Sequence, residues 1–431
     1  MLRGAARLLV AASRPRCSRF SLSQRQPLQP ISSRHVSSTP SPEPTTPPSK
    51  PPRPKTALFF PGQGVEKVSM LTPWLDAFPR TAKPLIDEID SILGYKLSAI
   101  IQDGPPRKLS LTPHAQPAIM ATSILILRVL EQEFGFDTEK RVDYTLGHSL
   151  GEFAALVAGG YLSFEDGLWM TQRRADAMAA ATQAAIQQYG GEYGMVAVVT
   201  EPDYLPGLIS AIDEFVGNGR SISTLAAQDD DADVHPPPID QVLIANINSK
   251  NQIVLSGSIE RIKTLVAHVR QFLGHDPRAV RLKSEDPFHS PIMRPAVEVM
   301  RDILAHEKSR ASGRQNSEIV VWPGKIPCVS NVTARPFESR EELKDLLARQ
   351  CLETVRWWDS IRYLDQECRV RRWVGIGPGK VGRNLVGKEV GMRGKDVVKG
   401  GGVWAITDPS EIEECLRGLE ETEHLVDEPD E

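Results

Sequence analysis

Ser149 lies between Gly147 and Gly151 in the run Thr145-Leu-Gly-His-Ser-Leu-Gly-Glu. The Gly-x-Ser-x-Gly spacing suits a nucleophile. Ahead of it, Val142 to Leu146 is a short apolar run of the kind a buried strand uses. Behind it, Glu152-Phe-Ala-Ala-Leu-Val-Ala is a strong helix former. A serine at a sharp strand-to-helix turn has its hydroxyl pushed clear of the backbone, and flanking glycines make room for the turn. The helix start also presents unpaired N–H groups and the positive end of its dipole where an oxyanion would form. The same five residues occur in ordinary βα turns, so the pattern needs a base beside it.

That base is normally a histidine within hydrogen-bond reach. Of the nine histidines, His35 falls in the N-terminal segment, His235 in an acidic loop and His424 near the C-terminus. His268 and His306 sit within expected helices, and His275 follows the end of one. His148 abuts Ser149, where neighbouring side chains diverge, and His114 precedes a helix in Leu111-Thr-Pro-His-Ala-Gln-Pro. His289, in Asp286-Pro-Phe-His-Ser-Pro-Ile-Met, occupies a Pro-bracketed turn between a short strand and a helix, where a rigid base can be presented. By composition alone it reads better as a surface turn histidine.

The elements that position these groups form an α/β pattern. Thr56-Ala-Leu-Phe-Phe-Pro-Gly-Gln-Gly reads as a buried strand ending in a Gly-rich turn. Helical patterns follow at 84–93 and 116–134, then the strand–Ser149–helix unit and a helix over 164–188. Strands alternating with long helices imply a mostly parallel sheet. Next, 194–199 reads as a strand, 204–215 as a helix, 242–247 and 252–256 as strands and 259–272 as a helix. This βαββα run suggests a small α+β subdomain inserted in the larger one. Within it, residues 227–240 form an acidic, Pro-rich loop. The chain is then expected to return to the large domain, with a strand at 280–282, a helix at 292–306 and an extended run at 319–330. Helices at 341–350 and 358–368 precede a strand from Trp373 into a Gly turn. The acidic end, 416–431, is expected to fray.

The division that follows is a transit peptide and Pro-rich linker (1–54), a large α/β domain in two parts (55–190 and 279–415), a small subdomain (191–278) and an acidic tail (416–431). The first 42 residues carry seven arginines and no Asp or Glu. Basic, acid-poor and Ser/Ala-rich, this is the composition of a mitochondrial transit peptide, which predicts a location in the mitochondrial matrix. A formal net charge of −4 argues against nucleic acid as the main partner. The longest apolar stretch, near Ala118–Leu130, is interrupted by Arg128 and is too short for a membrane span. The cysteines, Cys17, Cys328, Cys351, Cys368 and Cys415, show no metal-ligand spacing. Nothing in the sequence calls for a metal or redox cofactor.

Taken together, the motifs resemble those of the malonyl-CoA:acyl-carrier-protein transacylases. They run in that family's order from about residue 57 to 380: Pro61-Gly-Gln-Gly, Leu111-Thr-Pro-His-Ala-Gln-Pro-Ala, Gly147-His-Ser-Leu-Gly-Glu, Arg174-Ala-Asp-Ala-Met, Phe288-His-Ser-Pro-Ile-Met, Asn331-Val-Thr, Gln350 ahead of Val355-Arg-Trp, and Gly375-Ile-Gly-Pro-Gly-Lys. The resemblance implies a hydrolase-like α/β domain with a ferredoxin-like subdomain. It implies Ser149 as the nucleophile that carries the acyl group and His289 as its base. A backbone carbonyl at the position of Gln350 would orient the imidazole, and no triad carboxylate is implied. The N–H groups of Gln63 and Leu150 would form the oxyanion hole. Arg174 would hold the carboxylate of a malonyl group; Arg173 points about 100° away on a helix, and the four-residue spacing to Met178 selects Arg174. The implied partners are malonyl-CoA and an acidic acyl carrier protein, with phosphopantetheine brought by the latter.

The chain departs from the family at Val65-Glu66, where Ser-Gln often follows the Gly-rich turn, and in its acidic insertion at 227–240. Gly375-Ile-Gly-Pro-Gly-Lys lacks the spacing of a phosphate-binding loop. Lys380, Arg383, Lys388, Arg393, Lys395 and Lys399 give the C-terminal part local positive charge suited to an acidic carrier, or to a plain solvated face. Two rival readings stay open. A serine hydrolase or thioesterase of the α/β-hydrolase kind would need a catalytic acid, Asp286 for instance. A non-catalytic carrier-binding scaffold would need neither Ser149 nor Arg174.

Overall fold

Lys55–Phe60 (β1) carries Ala57, Leu58, Phe59 and Phe60, all buried, so neither face meets water. A strand of this kind belongs in the middle of a parallel sheet covered on both sides. The computed structural model describes residues 53–215, 242–272, 276–391 and 402–424. In it β1 is the central strand of a five-stranded sheet whose order is β7 (Cys328–Val329), β2 (Tyr144–Gly147), β1, β8 (Val370–Ile376) and β9 (Gly402–Ile406). Every pairing in this sheet is parallel. Leu58 and Phe60 face one core with the helices Thr112–Phe134, Gly151–Ala158 and Phe164–Tyr189. Ala57 and Phe59 face a second core with the helices Trp357–Arg362 and Val381–Val390. The alternation of a single strand thus serves two layers of helix.

Thr112–Phe134 is apolar around most of its circumference and is buried accordingly. Pro113, in its first turn, suits a start where no intrahelical N–H partner exists. Gly135 ends it in the left-handed conformation, donating its N–H to the Leu130 carbonyl.

The second sheet is four-stranded and antiparallel, with β3 (Tyr193–Val199), β4 (Val242–Ser249), β5 (Gln252–Ser258) and β6 (Arg278–Arg281) in the order β4-β5-β3-β6. Its two faces separate cleanly. Val196, Val198, Ile253 and Leu255 pack under the helices Leu205–Phe215 and Ile259–Phe272. Met195, Ala197 and Val254 join the main core instead. The small sheet is therefore mounted on the large domain through its second face.

Several expectations need correction. The strand expected at 280–282 as a return to the large domain is β6, the edge of the small sheet, paired with β3. Its residues are exposed on both faces, so no apolar period marks where it belongs. Of the run 319–330 only Cys328–Val329 enters a sheet. The helix expected at 358–368 is α-helical only over Trp357–Arg362 and widens to a π-turn at Tyr363–Glu367. The segment from 416 does not fray at its start: Ile412–Glu421 is a helix whose Ile412, Cys415 and Leu419 are buried in the main core. The proposed transit segment up to residue 52, the acidic loop 227–240 and the end from residue 425 lie outside the described residues. Among the described residues, no helix is long and apolar enough to cross a membrane.

Candidate active site

The register of β1 against β2 sets Phe60 opposite Gly147, and both strands end there. His148 N–H donates to the Phe60 carbonyl at 3.0 Å, so the Pro61–Gly64 turn and the Ser149 turn start from adjacent strand ends. Ligand sites in parallel α/β sheets form at this carboxyl edge. Ser149 has a φ of 52°, in the left-handed region. For a residue with a Cβ that costs about 1–3 kcal/mol, so surrounding contacts must hold it. The glycines are sterically required. A Cβ on Gly147 would lie 2.0 Å from the Gly151 carbonyl carbon, and one on Gly151 would lie 2.6 Å from the Phe60 oxygen.

Asn331 supplies the restraint. Its Oδ1 accepts from Ser149 N–H and its Nδ2 donates to the Gly147 carbonyl, both at 2.8 Å. Its own N–H donates to Glu152 Oε1 at 2.8 Å. One side chain thus bridges the end of β2 and the nucleophile. Asn331→Ala leaves a buried donor and acceptor unpaired, and we expect a loss of roughly 2–4 kcal/mol in stability. Chemical denaturation of the two proteins measures it, and an unchanged midpoint would show that the clamp is dispensable.

His289, 1% exposed, brings Nε2 to 2.8 Å from Ser149 Oγ. Its Nδ1 lies 3.0 Å from the Glu353 carbonyl, which can only accept. The proton therefore sits on Nδ1, and Nε2 turns its lone pair toward the serine hydroxyl. Burial first, then the charge of Arg174 and then His148, pushes the imidazole down to about 3, which keeps it a neutral base. This corrects the expectation for Gln350. The carbonyl in hydrogen-bond contact with the ring is that of Glu353, three residues on, with the Gln350 backbone adding a lesser interaction. The chain turns after the Arg340–Arg349 helix, and Thr354 and Val355 fasten to β4: Thr354 Oγ1 donates to the Ile244 carbonyl at 2.6 Å and Val355 N–H to the Ala245 carbonyl at 2.8 Å. That attachment aims Glu353. The small sheet thereby fixes the base of the large domain.

The Gln350 side chain has a different partner: its Oε1 accepts from Arg174 Nη2 at 2.9 Å. Arg174 is wholly buried on the Phe164–Tyr189 helix, whereas Arg173 is exposed, as the helical rotation requires. Its Nη1 donates to Gln116 Oε1 at 2.7 Å and its Nη2 also to Ser149 Oγ at 3.2 Å. Burial depresses its pKa, yet a guanidinium stays charged in a protein. All three of these acceptors are neutral. Gln116 Nε2 contacts Gln63 Oε1 at 3.3 Å, and Gln63 Nε2 contacts Thr112 Oγ1 at 3.4 Å. Thr112 in turn donates to Asp286. Asp286 is thus tied to Thr112, while the imidazole proton goes to a carbonyl.

Leu150, 1% exposed, immediately precedes the Gly151–Ala158 helix, so its N–H is among those a helix leaves unpaired. Gln63 follows β1 in the adjoining turn. At the departure noted above, Glu66 accepts the Gly64 N–H at 2.8 Å and closes that turn. His148 is half-buried, with Nε2 2.9 Å from Asn248 Oδ1 of β4 and its ring edge-on to Trp357. Gln116, Asn331 and Glu152 stood inside the recognised motifs without a role, and Glu353 lay just outside them. Of the basic residues near the C-terminus, Lys380 is paired with Glu411 and Lys388 is exposed, while Arg393, Lys395 and Lys399 lie outside the described residues.

Comparison with known proteins gives a consistent set of relatives. Residues 58–194 match the acyl transferase domain family. The malonyl CoA-acyl carrier protein transacylase of Bacillus subtilis is 32% identical over 367 residues, covering 85% of this chain and 98% of the relative. An acyl-carrier-protein-S-malonyltransferase structure from Bartonella henselae superposes with a TM-score of 0.65 at 31% identity, over 85% of this chain and 99% of that one. A malonyl-transacylase in complex with a type II polyketide-synthase acyl-carrier protein gives a TM-score of 0.65 at 26% identity, over 84% and 99%.

Proposed function

This chain belongs to the malonyl CoA-acyl carrier protein transacylase family, and on that premise we propose that it moves a malonyl group from coenzyme A to the phosphopantetheine thiol of an acyl carrier protein. One observation carries the reading: the Ser149 hydroxyl sits between a neutral imidazole at 2.8 Å and a buried guanidinium at 3.2 Å.

Ser149 Oγ attacks the thioester carbonyl while His289 Nε2 takes its proton. The N–H groups of Gln63 and Leu150 stabilise the oxyanion. Collapse expels coenzyme A as its thiol, the proton coming back from His289. The carrier's thiol then gives its proton to Nε2 and attacks the ester, whose C–O bond breaks as His289 returns that proton to Ser149 Oγ. Arg174 holds the malonyl carboxylate throughout through paired N–H donors. The carbonyl of Glu353 keeps the ring in the tautomer each step needs. A thioester is activated enough for a Ser–His pair, so no carboxylate is required behind the histidine.

The strand order and βαββαβ connectivity of the small sheet support the ferredoxin-like reading of the subdomain. The basic, acid-free N-terminal composition supports a mitochondrial transit peptide and a place in mitochondrial type II fatty acid synthesis. Fusing residues 1–54 to a reporter tests this: uptake and cleavage by isolated mitochondria is expected, and exclusion would remove the assignment.

The transfer itself is tested by intact mass. Brief mixing with malonyl-CoA should add one malonyl group, and holo acyl carrier protein should discharge it to the carrier. Release of free malonate at the same rate would favour a thioesterase. No adduct and no malonate would favour a scaffold.

A further inference from the structure

Arg174 is a charge taken wholly out of water, and its hydrogen-bond acceptors, Gln116, Gln350 and Ser149, are all uncharged. A buried cation without an opposite charge nearby is costly. The buried Cys351 sulfur lies against it and influences it more, but the carboxylate that interacts with it is Glu152, fully buried in the first turn of the Gly151–Ala158 helix, and that weaker attraction is mutual. Glu152 Oε1 is held by the Asn331 N–H at 2.8 Å, whereas its Oε2 has no hydrogen-bond partner. Gln350 lies close to both groups: its oxygen accepts from Arg174 at 2.9 Å, and its amide end, though it makes no hydrogen bond, adds a small pull that favours the charged form of Glu152. Arg174 Nε and Gln350 Nε2 also lack hydrogen-bond partners. This cluster of half-satisfied groups reaches the nucleophile from both ends, through Arg174 Nη2 on Ser149 Oγ at 3.2 Å and through Asn331, which holds both the Ser149 N–H and Glu152.

We propose that Glu152 is a positioning residue, the internal counter-carboxylate of Arg174, ionised while the guanidinium is empty and protonated when an acyl carboxylate sits on it. Two carboxylates cannot both be fully ionised against one buried guanidinium, so the arriving malonyl group and Glu152 compete for the same positive charge. The proton comes from solvent and joins Glu152, leaving one negative and one positive charge in the site. The other groups facing Glu152 do not supply a charge. Burial pushes the thiols of Cys328 on β7 and Cys351 after the Arg340–Arg349 helix upward, so both stay neutral. Asn331 and Gln350 do not titrate. Burial also raises Glu152 itself, to about 7, where a modest change in its surroundings switches its charge.

The inference rests on the malonyl reading above, and the test separates the two. Calorimetry of malonyl-CoA binding to Ser149→Ala at pH 8, in buffers of different ionisation enthalpy, should show uptake of about one proton per molecule bound, and acetyl-CoA close to none. In steady-state assays of the wild type, the KM for malonyl-CoA should rise roughly tenfold between pH 7 and 8.5, while Glu152→Gln holds it flat. A role confined to supporting Asn331 would lower kcat without altering the pH dependence of KM. Normal malonyl transfer with no proton uptake, or the same KM slope in Glu152→Gln, overturns the counter-carboxylate and leaves the transfer reading intact. Should Glu152→Gln fail to fold, the calorimetry decides alone. Absence of any Ser149 ester from malonyl-CoA would remove both.

Discussion

Ser149→Ala is expected to abolish the malonyl adduct in intact mass and to lower kcat by about 10⁴–10⁶, with His289→Ala close to the same and the double variant no worse than either. The non-additivity follows from the geometry. The 2.8 Å contact makes the hydroxyl and the imidazole one proton-transfer unit, so losing either partner removes the function of both. What survives is binding and the backbone donors, which depend on the Pro61–Gly64 turn and the start of the Gly151–Ala158 helix. The histidine's depressed proton affinity adds a second expectation. With the ring held down to about 3, it remains a base well below the ordinary titration range of histidine. Single-turnover acylation should therefore stay level from pH 7 down to about pH 5. A decline centred near pH 6.5 would mean that the ring titrates as an exposed histidine does. Additive losses in the double variant would mean that Ser149 and His289 act separately.

The part of this site that was legible in the chain is the part dictated by residue type. Gly147 and Gly151 cannot carry a Cβ, so the turn around Ser149 writes itself into the sequence as glycine. Successive helical positions face different ways, so only one of Arg173 and Arg174 could enter the site; the family motif's spacing to Met178 chose Arg174, and the burial difference is the structural counterpart of that register. The orienting carbonyl had no such mark. Any residue can present a backbone oxygen, and the choice of Glu353 over Gln350 comes from a turn fastened to β4 by Thr354 and Val355, more than a hundred residues from it in sequence. Asn331 was visible as a motif but not as a clamp, because its contact with Ser149 spans 182 residues. Glu152 looked like an ordinary helix former, and only its burial beside Arg174 gives it another meaning. The misplaced β6 has the same origin: a short strand exposed on both faces carries no period from which its sheet can be read.

Arg174→Ala is expected to separate the two acyl donors. The guanidinium is the fixed positive charge that a malonyl carboxylate would meet in this site, and leaving that carboxylate buried without it costs about 3–5 kcal/mol. That corresponds to a fall in kcat/KM for malonyl-CoA of about 10²–10⁴. Acetyl-CoA has no carboxylate to lose, and a site relieved of the buried guanidinium should leave its acylation of Ser149 unchanged or faster. Intact mass after parallel mixing with each donor reads both effects at once: malonyl adduct only in the wild type, acetyl adduct in the variant. Arg174→Lys should fall between them, since it keeps the charge but loses the planar pair of donors that Gln116 and Gln350 now hold apart. The contact to Ser149 Oγ complicates a simple reading, because it also steadies the nucleophile. Its loss acts on both donors alike, so the ratio of malonyl to acetyl rates isolates selection from positioning. An equal fall for the two donors would make Arg174 a support for Ser149 and would take the choice of substrate elsewhere.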